Sequence, residues 1–135
     1  MDILNYPEYR LHIEECMRDS ISRFNLHYNE SLVNNLSKNY EAFLENDYYR
    51  IELNTTRAFP NQWVDIKIYA LEGIVREIPM NIINEALNIS SDDIMRISYS
   101  NSEFPEDNEY QKSLRELNAQ LIAYYSPFFE GKVKL

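Results

Sequence analysis

At 135 residues, 44 % hydrophobic and 26 % charged, the chain has the size and composition of one globular domain rather than a disordered, fibrous or membrane-spanning protein. Its net charge of −9 works against unaided binding to nucleic-acid phosphates or anionic lipid, which reward clustered Lys and Arg, and favours a partner with a basic surface. The single cysteine, Cys16, cannot form an internal disulfide, and the first residues lack a signal-peptide apolar core, so the expected compartment is the cytoplasm.

Two glycines are few for a β-rich domain, and the five prolines fall between periodic segments, where helices start or stop. Residues 1–135 are therefore expected to form one all-α domain, a bundle of about five or six helices. The first helix, about 7–25, aligns Tyr9, Ile13, Cys16, Met17, Ile21 and Phe24 on an apolar stripe. Cys16 there reads as a small core residue rather than a nucleophile. The polar stripe of the same helix holds Glu8, His12, Glu15 and Asp19. His12 with Glu15, and His27 with Glu30, have the spacing that puts two ligands on one helix face. Helical di-iron sites use the reverse order, Glu before His, with further glutamates from neighbouring helices, so neither a metal nor another cofactor is expected.

A second helix, about 30–53, is expected from Leu32, Val33, Leu36, Tyr40, Phe43, Leu44, Tyr48 and Ile51. The next segment, Asn61 to Ile78, has two readings. Val64, Ile66 and Ile68 alternate as in a strand, and a hairpin would pair residues 48–54 with 63–69. On a helix, Asp65, Tyr69, Glu72 and Arg76 fall on one narrow polar stripe, and this period outlasts the alternation, so a buried central helix is preferred. Short helices at 79–88 and 91–99 follow. A longer one at 105–125 places Tyr110, Leu114, Leu117, Leu121 and Tyr124 on its stripe.

Residues 85–98, EALNISSDDIMRIS, locally resemble a helix-turn-helix, with a helix end, a turn and a second helix start. The resemblance implies DNA reading by the second helix, yet that helix would open with Ser91, Asp92 and Asp93, whose acids suit a helix N-terminus and repel phosphate. Arg96 is its only base, and Asn84 stands where such motifs keep a small apolar residue. An ordinary helical corner is preferred, with a small helix-turn-helix regulator as the alternative. Gly73 and Gly131 lie too far apart to build a phosphate loop. An enzyme whose site the sequence does not expose is the third reading.

The remaining signal is aromatic. Eleven tyrosines supply side chains that tolerate partial exposure and anchor interfaces. Neighbours such as Tyr48-Tyr49 point about 100° apart on a helix and cannot all face one core. The expected contact surface combines the acids Glu103, Glu106, Asp107 and Glu109 with the exposed members of Tyr124, Tyr125, Phe128 and Phe129. Acids steer a basic partner, and aromatics carry affinity. The chain is therefore read as a non-enzymatic, acidic protein-binding module. The concrete form is an antagonist, of the toxin-immunity or phage and mobile-element anti-defence kind, that engages a basic, nucleic-acid-handling protein. Binding to nucleic acid or membrane is not expected, and a homo-oligomer is compatible with the sequence.

Overall fold

The computed structural model describes residues 6–33, 39–56, 64–90 and 109–133. The chain opens with two helices, α1 (Tyr6–Cys16) and α2 (Arg18–Arg23), then forms β1 (His27–Tyr28) and a short 3-10 turn at Glu30–Leu32. Strands β2 (Asn39–Glu45), β3 (Tyr49–Thr56), β4 (Asp65–Ala70) and β5 (Arg76–Ile78) follow. The described part ends with helices α3 (Met80–Leu87), α4 (Glu109–Tyr124) and α5 (Ser126–Phe129). The strands make one antiparallel meander in chain order, β1-β2-β3-β4-β5. Among the described residues about 26 % are strand and about 48 % helix, which makes this an α+β fold, and the all-α bundle is corrected.

The correction falls on two segments. Most of the helix expected at about 30–53 is instead β2 and β3, paired from Asn39↔Thr56 to Glu45↔Arg50. Tyr40, Ala42 and Leu44 turn inward at the strand period of two, but Phe43 is an apolar residue on the opposite face, and it completes a false helical series with Tyr40 and Leu44. Asn46 and Asp47 between the strands are turn formers. The preferred central helix is likewise absent: Tyr49–Asn54 pairs with Asp65–Ala70, which is the competing hairpin. Beyond Ala70 the chain reverses at Gly73, φ +73°, and returns as β5 with Ile68 opposite Ile78. The five residues of that turn shift the phase of the alternation, and the combined pattern mimics a helix.

The helices at the ends of the chain follow their apolar stripes. Tyr9, Ile13, Cys16, Met17 and Phe24 are buried on α1 and α2, and Leu114 and Leu121 on α4. Pro7, Pro79 and Pro127 stand at helix starts, where a missing N–H costs nothing. Asn88, φ 56°, ends α3 in the left-handed conformation, with the Ile89 amide donating to the Asn84 carbonyl at 2.9 Å. All these helices pack on the inner face of the sheet, where Tyr40, Ala42, Leu44, Ile51, Leu53 and Ile68 join them in one core. Burying such side chains contributes about 1.5–3 kcal/mol each.

Three polar ties fix how the layers meet. Asn46, 8 % exposed, donates from Nδ2 to the Phe24 and Phe129 carbonyls at 3.0 and 2.9 Å. Its Oδ1 accepts from the Tyr48 and Tyr49 amides at 2.9 and 3.0 Å. Buried Ser20 donates its amide and hydroxyl to Asn118 Oδ1 at 2.9 and 2.7 Å, joining α2 to α4. The Tyr125 hydroxyl donates to Asn84 Oδ1, joining the end of α4 to α3.

Candidate functional site

The outer face of the sheet follows from strand alternation. Opposite the inward Tyr28, Leu44, Ile51 and Ile68, it presents His27, Glu45, Arg50, Tyr69 and Glu77 as one cross-strand row. A second row holds Phe43, Glu52 and Lys67, and a third Glu41, Asn54 and Asp65. None of these side chains belongs to the main core cluster on the inner face, although Phe43 is itself buried. Five carboxylates against Arg50 and Lys67 leave the face acidic, and Asp65, Lys67 and Glu77 are exposed.

The middle of this face is organised by hydrogen bonds. Glu45 Oε2 accepts from Arg50 Nε at 2.5 Å and from Asn29 Nδ2 at 3.1 Å. Glu52 accepts from the Tyr69 hydroxyl at 3.0 Å and from Asn54. Burial, then the hydrogen bond to Glu52 and the charges of Glu52 and Glu77, push the Tyr69 hydroxyl up from 10.0 to about 12. Tyr69 therefore stays a neutral donor at physiological pH. Phe43, directly opposite Glu52, is only 8 % exposed although it lies outside the core cluster. Tyr69, half-buried and set among fixed carboxylates, belongs to a preorganised surface that pays little side-chain entropy on binding, and the buried Phe43 ring is a support rather than a contact.

A second feature lies at the end of the sheet where β2–β3 and β4–β5 turn. A pocket of about 110 Å³ is lined by the buried Tyr49, Ala70 and Ile78 and by the exposed Tyr48, Glu72 and Arg76. Burial raises the Tyr49 pKa, Glu72 raises it further and Arg76 opposes the shift, so both charges act on this hydroxyl. The Tyr48 ring lies against Gly131, φ +76°.

The expected contact residues are distributed differently. Glu103, Glu106 and Asp107 lie outside the described residues, and Glu109 is the first residue of α4. Tyr125, Phe128 and Phe129 are 3 %, 0 % and 1 % exposed, with Phe128 stacked on Tyr49 at 4.0 Å and Phe129 against Phe24 at 5.4 Å. They form the core at this end of the molecule, and Tyr124 is the partly exposed member. The second helix of the 85–98 motif, with Asp92, Asp93 and Arg96, is outside the described residues; in the first, Asn84 is bonded to Tyr125. Exposed His27 sits on β1 and Glu30 in the following turn, while Glu15 pairs with Arg115 at 3.6 Å. Among the described residues no three His, Cys, Asp or Glu converge as metal ligands, and no helix there is long and apolar enough to cross a membrane. Cys16 is a buried core thiol.

A helical reading of residues 30–53 and 61–78 disperses the residues that the sheet gathers on its outer face. The signal was present in Arg50-Ile51-Glu52-Leu53-Asn54 and Asp65-Ile66-Lys67-Ile68-Tyr69, where every second residue is polar. No protein-family model, curated protein or solved structure matches the chain.

Proposed function

We propose that this protein is a non-enzymatic, acidic binding module that docks a basic protein surface on the outer face of its sheet. The observation that carries the reading is the ordered acidic lattice of that face, with Tyr69 set beside Glu52 and Glu77. The module acts as an antagonist of a nucleic-acid-handling protein, of the toxin-immunity or anti-defence kind, because such targets present basic grooves that an acidic surface occupies by charge complementarity. A net charge of −9 supports fast, salt-sensitive association with such a target.

The test has two stages. The chain is purified with its native neighbours, and the co-purifying protein is identified and made recombinantly. Its binding to a labelled nucleic acid is then titrated with the chain. The proposal predicts mutually exclusive binding, with the nucleic acid displaced as the chain saturates its target. A ternary complex, or a target without a basic surface, would reject it.

A further inference from the structure

The turn end of the sheet carries a knob and a hole side by side. The knob is Ile74, 88 % exposed, with Val75 at 46 %, at the tip of the β4–β5 hairpin. Tight turns are normally built from Gly, Asn, Asp and Ser, which bend the backbone or bond to it. Two successive β-branched apolar residues bring no such advantage to this turn. The hole is the pocket of about 110 Å³ floored by Tyr49, Ala70 and Ile78. A cavity of about 150 Å³ holds benzene, so this one accommodates the four-carbon side chain of an isoleucine. On the rim stand Glu72 and Arg76, and among the described residues neither makes an ion pair.

A patch with one knob, one hole, one acid and one base is self-complementary. Under a two-fold rotation a knob seated in the other copy's hole is matched by the reciprocal knob and hole, and a Glu72 that meets the other copy's Arg76 is matched by a second such pair, as an isologous interface requires. We propose that a second copy of this chain docks here, Ile74 of each copy seated in the Tyr49–Ala70–Ile78 pocket of the other and the two Glu72–Arg76 pairs closing the rim. A bilayer is a poor occupant, because Glu72 and Glu77 flank the tip and the net charge repels anionic headgroups. A basic partner would meet Arg76. The dimer surface is distinct from the outer sheet face, so the two proposals stand or fall separately.

Sedimentation and light scattering of the full chain, from about 1 to about 200 µM near physiological salt, read the association directly. The expected result is a reversible monomer–dimer equilibrium. Ile74→Asp, checked for an unchanged far-ultraviolet spectrum, raises the dissociation constant at least about tenfold. Glu72→Arg and Arg76→Glu each weaken the dimer alone, and mixing these two variants restores a dimer of mixed composition, because both rim pairs are then complementary. A chain that stays monomeric throughout, a dimer indifferent to Ile74→Asp, or no recovery on mixing would each overturn the proposal. Loss of a basic partner from a monomeric Ile74→Asp chain, or vesicle binding by monomeric wild type, would assign the tip to another occupant and overturn it as well.

Discussion

Replacing Asn46 by Ala removes one side chain from three elements at once. The amide bonds the last carbonyl of the α2 region at Phe24, the last carbonyl of α5 at Phe129, and the two amides that form the β2–β3 turn at Tyr48 and Tyr49. Each bond has a net worth of about 1 kcal/mol, and a buried group left without a partner costs about 1–3 kcal/mol more. The Tyr48 amide has the easiest access to water, because Tyr48 is 42 % exposed, so its bond is recovered in part. The Phe24 and Phe129 carbonyls lie beside rings that are 3 % and 1 % exposed, and desolvation there is harder to relieve. The variant is therefore expected to lose about 3–4 kcal/mol, a large fraction of the stability of an ordinary domain. Urea unfolding followed by far-ultraviolet circular dichroism measures this as a fall of roughly 2 M in the midpoint with little change in slope. A loss under about 1 kcal/mol would show that Asn46 does not hold the turn end together.

Tyr69→Phe should flatten the fall in stability at high pH. The folded hydroxyl is raised from 10.0 to about 12, so its stabilising contribution is complete below pH 10 and disappears as pH rises toward 12; parallel unfolding curves for the variant and wild type would contradict this. Gly131→Ala should cost more than Gly73→Ala. Both glycines have positive φ, but a Cβ at 131 meets the Tyr48 ring at 2.8 Å whereas one at 73 meets open space; backbone strain alone costs about 1 kcal/mol, and equal losses in urea unfolding would mean the ring yields freely. Neutralising Glu103, Glu106, Asp107 and Glu109 together should slow association with a basic partner and flatten its salt dependence, as measured by surface kinetics; an unchanged salt slope would remove this run from the steering surface.

The legible parts of the fold were those in which one period ran uninterrupted. In α1 and α2, Tyr9, Ile13, Met17 and Phe24 repeat at helical spacing with no competing pattern, and in α4 Leu114 and Leu121 do the same. The sheet was harder because its strands are short and their inner sets are brief. Ile66, Ile68 and Ala70 give only three inward positions before the chain turns at Gly73, while Phe43 adds an apolar residue to an otherwise polar outer set. Hydrophobic patterning cannot separate a helix from two strands when the turn between them happens to preserve the helical phase. The candidate surface depended on that distinction. Glu45, Arg50, Glu52 and Tyr69 are dispersed along a helical reading and become neighbours only through strand register. The C-terminal aromatics illustrate the converse. The chain breaks at Tyr125, and Phe128 and Phe129 close a separate short helix, Ser126–Phe129, so they and Tyr125 are buried in the core although a continuous helix through 105–129 would turn some of these rings to solvent.

Docking of a basic protein on the outer sheet face is read by association kinetics with the purified partner. Asp65→Lys with Glu77→Lys reverses two exposed charges of the face without touching the Glu45 and Glu52 bonds, and Lys67→Glu adds acid to its centre. Association is expected to slow about tenfold at low salt in the first variant and to quicken in the second, with all three proteins converging at high salt. Identical association rates in the three proteins, each folded by circular dichroism, would contradict docking on that face.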